Sequence, residues 1–161
     1  MNNSKSPVTI WTDGSCLKNP GPGGWAFIIE INDLEYEVSC DSCGITTNNE
    51  MELKAIVRSL EFLYSENLIK SIDRITVRSD SRYAVRGINE WIDRWIVCDK
   101  VKTRPNWKLW KKLYQLKGKI TKTIPLEFKW VKAHGTNEMN NRVDRLARQR
   151  AEELKSKSHL Q

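Results

Sequence analysis

No run of apolar residues in this chain of 161 approaches the ~20 needed to cross a bilayer. The opening MNNSKSPV also lacks the apolar stretch of a secretory signal. The expectation is therefore a cytoplasmic protein with no membrane partner. Histidine is scarce, with two residues, and cysteine numbers four. Cys40 and Cys43 form one C-x-x-C, but Cys16 and Cys98 supply no second pair by spacing, and H-E-x-x-H is missing; both facts argue against zinc. Such cysteines read as reduced thiols. The Lys-Ser/Thr ending of a P-loop and the G-x-G-x-x-G dinucleotide fingerprint are missing too, although residues 11–24, WTDGSCLKNPGPGG, are rich in Gly and Pro.

What is present is positive charge, unevenly spread. The formal net charge is +7, and between Lys100 and Lys122 lie nine Lys or Arg and no acid, with Trp107, Trp110 and Tyr114 among them. A charge run is often only the solvated face of a helix. Interleaved with aromatics, it is also the footprint of a protein that meets a phosphate backbone. With 39% hydrophobic residues and seven Trp, the chain has the makings of a substantial core. We expect one domain over residues 1–161, its core about 7–154 and a flexible polar tail at 155–161.

Val8 to Trp11 are β-branched and aromatic, the signature of a strand, and Trp25–Ile31 and Tyr36–Cys43 read as two more. The short break Asn32-Asp33 makes these antiparallel hairpins. The period then changes: Leu53, Ile56, Val57, Leu60 and Leu63 form the apolar stripe of a helix. Thr47 and Glu50 before it have capping-box spacing. A strand at Arg74–Arg78 ends in Ser79-Asp80, and Trp91 and Trp95 share a helix face. Pro105 separates that helix from one spanning Trp107 to Leu116. Ile124–Val131 is the last strand, His134-Gly135 opens a loop, and Val143, Leu146, Ala147, Ala151 and Leu154 line a terminal helix. Strands separated by helices lie parallel, so this is a mixed α/β sheet with a crevice at the carboxyl ends of its parallel strands.

Asp13 and Asp80 both sit at such ends, Glu52 falls in the first turns of the intervening helix, and Asp144 lies early in the last one. Each has an ordinary explanation alone: a turn for Asp13-Gly14, a helix cap for Asp80, solvated helix faces for the others. Together they converge. Carboxylates within ~4 Å of each other repel by about 1 to 4 kcal/mol per pair, and hard divalent cations relieve that repulsion. Four acids suffice to hold two ions that clamp the attacking and leaving oxygens of a phosphodiester.

The stretches TDGSCLKNPGPGG, TTNNEMEL, SDSRYAVRGI and WVKAHGTNEMNNRVDRLA resemble, in order and spacing, the signature segments of the type 1 ribonuclease H family, from about Val8 to Glu153. The resemblance implies an α/β, ribonuclease H-like fold with a five-stranded mixed sheet of order 3-2-1-4-5. It implies an endonuclease that cuts the RNA strand of an RNA–DNA hybrid, leaves 5′-phosphate and 3′-hydroxyl ends and uses two Mg²⁺ ions, for which Mn²⁺ is an alternative; no obligate protein partner is evident, so a monomer is expected. Carried over by motif, Asp13 bridges both ions, Asp144 helps hold the one that activates water, and Glu52 and Asp80 hold the one near the leaving oxygen. His134 matches the family's proton-transfer or product-release residue. Asn19, Asn48 and Asn49 match its substrate-contacting amides, and Thr47 its DNA-phosphate contact.

Gly14 is expected to let the substrate backbone approach without a Cβ in the way, with Asn19 and the Gly/Pro run shaping a loop over the minor groove. Trp91 to Asn106 match a substrate-binding handle, where Trp91 and Trp95 underlie the loop and Lys100, Lys102 and Arg104 meet phosphates. This handle is a few residues shorter than the longer bacterial pattern, and Ile96-Val97-Cys98-Asp99 replace more basic residues. Arg82 stands where an amide is commoner, adding positive charge beside the acids. Two other classes remain open on the residues alone: a DNA-only nuclease or recombinase with a similar site, and a catalytically silent hybrid- or RNA-binding module. A detached domain of a reverse transcriptase is a further variant.

Overall fold

A computed structural model describes residues 4–158. Five strands, β1 (Ser6–Cys16), β2 (Gly21–Ile31), β3 (Leu34–Thr46), β4 (Ile72–Ser79) and β5 (Leu126–Trp130), form one sheet in the order 3-2-1-4-5. The first three pair antiparallel, while β1–β4 and β4–β5 are parallel. Buried almost end to end, β2 carries the continuous apolar run of a strand covered on both faces.

Helices α1 (Asn48–Ser65) and α4 (Trp107–Thr121) cover one face with the main core, and α5 (Glu138–Ser158) covers the other through Val143 and Ala147 on Trp11, Ala26 and Ile28. Among the described residues no helix is long and apolar enough to cross a membrane. Because α5 runs to Ser158, residues 155–158, expected in a frayed tail, are helical; residues 159–161 lie outside the described residues.

Several local expectations are revised. The Gly/Pro run is not a loop but the first part of β2. A Cβ on Gly24 would lie 2.3 Å from the carbonyl oxygen of Ala147, so that glycine lets α5 settle on the sheet. Only half of the capping box forms. Thr47 is extended, and its hydroxyl accepts from the backbone N–H of Glu50 at 3.2 Å; the Glu50 carboxylate instead takes the hydroxyl of Thr46. The last strand is shorter than expected, since Ile124 is buried in the core just before it.

The Trp91/Trp95 helix starts earlier than its apolar pattern suggests. It comprises α2 (Arg82–Arg86), a π-helical turn (Gly87–Trp91) and α3 (Ile92–Val97). Where the turn widens, the fully buried Trp110 of α4 packs against Gly87, and a Cβ there would meet the indole at 2.0 Å. Trp110 donates its Nε1–H to the Tyr83 hydroxyl at 3.0 Å, and Tyr83, Trp91, Trp95 and Trp110 stack edge-on or tilted. Asn106, left-handed after Pro105, starts α4.

Gly87→Ala should therefore lower stability by about 1–3 kcal/mol, the usual cost of overpacking a close-packed core. Gly118→Ala, in α4 with open space around its Cα, should raise stability by up to about 1 kcal/mol. Urea unfolding midpoints measure both; equal shifts of the same sign would contradict this packing.

Candidate active site

The parallel ladder between β1 and β4 stops at Thr12–Ser79, whereas the antiparallel ladder of β1 with β2 continues to Cys16–Gly23. Asp13 is thus not the end of its strand. It is the first residue of β1 beyond its pairing with β4, and Asp80 is the first residue after β4. The two parallel strands part between these acids, opening the crevice expected at strand carboxyl ends.

Gly14 brings in the third acid. A Cβ at Gly14 would lie 2.3 Å from the Glu52 nitrogen and 2.4 Å from the Met51 carbonyl carbon. Its missing side chain admits the backbone of α1 rather than that of a substrate, which corrects the expected reason for this glycine. The Gly14 N–H then donates to Asp13 Oδ1 at 2.9 Å and to Glu52 Oε2 at 3.2 Å. Ser81 caps α2 by accepting from the Ala84 N–H at 3.1 Å, which leaves the Asp80 carboxylate free for the crevice.

One carboxylate oxygen each from Asp13, Glu52 and Asp80 lies within 4.8 Å of the others. Asp13 is 2% and Glu52 9% exposed, and Asp13 Oδ2 is buried with no hydrogen-bond partner. Such an orphaned acceptor beside two more carboxylates fits a hard divalent cation. Burial, then the charges of Glu52 and Asp80, push the Asp13 carboxyl well above the ordinary range. Burial, then Asp80, do the same to Glu52. Asp80 is raised by burial, and the charge of Asp144 adds to this; the nearby His134 and Asn140 draw it back.

The other expected residues fall into four groups. Asn48, Asn49, Arg82 and Asp144 line the same cleft, of about 420 Å³. Asp144 is not one of the three clustered carboxylates: its Oδ2 is paired with Arg148 at 2.7 Å, one helical turn on. Arg148, whose i+4 spacing from Asp144 was the available signal, escaped the sequence reading. Asn19 and Thr47 lie at the cleft's edge in structural roles, Thr47 as the cap and Asn19 accepting the Asn48 N–H at 3.0 Å. His134 is exposed, left-handed, and in a loop tied to α5 by Asn141, whose side chain donates to the Gly135 carbonyl at 3.0 Å.

The handle residues stand apart from the acids. Trp91 packs between Tyr83 and Trp95, Arg104 stacks on Trp95 at 5.1 Å, Lys102 lies 5.9 Å from the Trp107 ring, and Lys100 is exposed. Asn106 reaches the Tyr83 hydroxyl at 3.4 Å. Tyr83, unsuspected from sequence, both lines the cleft and joins this aromatic cluster. The basic run is also less available than its charge suggests. Lys112 pairs with Glu61 at 2.8 Å, Lys117 donates to the Ile88 carbonyl, and Lys119 covers the Tyr64 ring at 4.1 Å.

A mixed five-stranded sheet of this order, opening onto clustered acids, defines the ribonuclease H-like fold. Residues 5–152 match the RNase H family model. The chain is 38% identical to a Ribonuclease H of Xanthomonas axonopodis pv. citri over 151 residues, covering 89% of this chain and 91% of the relative. It is 41% identical to a Ribonuclease HI of Campylobacter jejuni subsp. jejuni over 144 residues, covering 89% and 90%. Among solved structures, LC11-RNase H1 in complex with RNA/DNA hybrid matches with a TM-score of 0.68 at 26% identity, covering 91% and 98%. The N-terminal RNase H domain of a Mycobacterium tuberculosis protein shares the fold, with a TM-score of 0.73 at 19% identity, covering 96% and 99%. The chain belongs to the type 1 ribonuclease H family.

Because the folded carboxyls hold protons that the unfolded chain loses near the ordinary values of 3.8 for Asp and 4.5 for Glu, their contribution to stability is full below those values. It is lost as pH rises through the raised folded values. Metal-free protein should therefore lose stability as pH climbs from about 4 toward neutrality. Asp13→Asn should flatten that slope and melt higher than wild type at neutral pH, read by thermal unfolding in a chelator. A lower melting temperature for Asp13→Asn would contradict a repulsive cluster.

Proposed function

We propose that this chain is a metal-dependent endoribonuclease that hydrolyses the RNA strand of RNA–DNA hybrids, leaving 5′-phosphate and 3′-hydroxyl ends. The observation that carries it is the gathering of Asp13, Glu52 and Asp80 around an unpartnered buried carboxylate oxygen, in a chain whose family and relatives are ribonucleases H. The related LC11 enzyme was solved in complex with RNA/DNA hybrid, which supports the same duplex as the partner here.

Two Mg²⁺ ions, or Mn²⁺ in their place, would be held with Asp13 shared between them, Glu52 and Asp80 completing one site and Asp144 the other. Bound there, they supply Lewis-acid activation of water and neutralise charge on the phosphodiester. The chain's own groups do the rest. The Asn48 and Asn49 side chains at the cleft wall hydrogen-bond base edges and 2′-hydroxyls, which is how a protein distinguishes RNA from DNA. Asn19 holds the strand turn by accepting the Asn48 N–H with its Oδ1, and offers its amide NH2 to the minor groove. Gly14, through its N–H, keeps the Asp13 and Glu52 carboxylates oriented. Thr47 offers a DNA phosphate the start of α1. His134, exposed beside Asp80, assists proton transfer or product release. Lys100, Lys102, Arg104 and Asn106, with Trp91 beneath them, meet the phosphates of the DNA strand.

Glu52→Gln should abolish cleavage. Glu50→Gln, whose carboxylate only holds the Thr46 hydroxyl, should keep activity and cost about 1 kcal/mol of stability. Comparable activity losses in both would undo the assignment. One gel tests the substrate: hybrid, duplex DNA and duplex RNA, each with and without Mg²⁺, with cleavage expected only of the hybrid's RNA strand and only with the ion. Cleavage of duplex DNA would favour the DNA-nuclease reading instead.

A further inference from the structure

Arg82 raises a physical problem. Its guanidinium lines a cleft whose floor holds three carboxylates, yet no carboxylate pairs with it among the described residues. What holds it off is Trp130. The Arg82 guanidinium carbon lies over the Trp130 ring, 4.5 Å from its centroid. That ring is 41% exposed, but it is fixed twice at the end of β4: Trp130 pairs with Ser79 across the sheet, and its Nε1–H donates to the Asp80 carbonyl at 3.0 Å. The next residue continues the clamp, the Val131 N–H donating to the Ser79 carbonyl at 2.9 Å. A guanidinium held over an aromatic ring and paired with no carboxylate still has N–H donors to offer a phosphate.

We propose that Trp130 is a positioning residue: its indole is a shelf that keeps Arg82 off the acidic floor and presents it at the rim to a phosphate of the nucleic-acid strand entering the cleft. This rests on the hybrid as substrate. The shelf has two consequences. With it, the floor takes divalent cations while the rim takes an anion. Without it, Arg82 is free to fold onto Asp80 and Asp13 and compete with the metal.

The test uses the full chain with Arg82→Gln, Trp130→Ala, Trp130→Phe and the double variant Arg82→Gln/Trp130→Ala. In chelator, with hybrid affinity read by fluorescence anisotropy across salt concentrations, Arg82→Gln and Trp130→Ala should each weaken binding about 5- to 10-fold and reduce the salt slope by about one phosphate contact. The double variant should be no worse than either, and Trp130→Phe, which keeps a ring, should stay within about twofold of wild type. Calorimetric titration with Mg²⁺ alone should show weaker binding for Trp130→Ala and recovery in the double variant, a rescue that a purely structural Trp130 would not give.

Multiplying effects on hybrid affinity, an unchanged salt slope, or a Mg²⁺ defect that Arg82→Gln fails to rescue would each overturn the shelf. Wild-type protein that does not bind hybrid at all would sink the proposed function instead, and the Mg²⁺ titration would then decide the shelf by itself.

Discussion

The site depends on one close approach, that of α1 to β1 at Gly14. Without a Cβ there, the backbone of Met51 and Glu52 packs directly on the strand, and a single N–H comes to hold two carboxylates. The cost is electrostatic. Three acids share a small volume, one of their oxygens buried without a partner, and two of them carry pKa values pushed well up by burial and by each other. Folding that tolerates such a cluster sacrifices stability at the place where chemistry happens, and a bound cation offsets the loss.

The sheet makes that approach useful. Because β1 stays paired with β2 after it has parted from β4, Asp13 projects from a rigid strand into the opening rather than from a mobile loop. Asp80 enters from the other side because Ser81 has taken over the capping of α2. Further out, Tyr83 ties the cleft to the aromatic cluster under the basic handle, so the acidic floor and the surface expected to meet phosphates are fixed relative to each other through one side chain and its bond to Trp110.

Much of this was legible in the residues. Apolar periodicity located α1 and α5, the change from period two to period three or four marked the end of the hairpins, and the order of elements set the parallel strands. Four quoted segments carried the family resemblance, and three of the four acids meet as expected. What escaped depends on contacts that no local pattern encodes. The Gly/Pro run read as a loop because glycine punctuates turns, whereas Gly24 is there for α5 to pack against. Gly14 was matched with the wrong neighbour for the same reason. The early start of the helix bearing Trp91 was hidden by its π-helical turn, which shifts the helical phase. Asp144 was placed correctly on its helix, but its pairing with Arg148 is a matter of side-chain geometry. The basic run overstated its free charge because three of its lysines serve neighbouring elements.

The central claim is that Asp13, Glu52 and Asp80 form a divalent-cation site. Anomalous diffraction from a crystal soaked in Mn²⁺ tests it most directly. A peak is expected at coordination distance from the oxygens of all three, including Asp13 Oδ2. A crystal whose Mn²⁺ peaks all lie elsewhere, with these carboxylates bonded only to one another or to water, would contradict it.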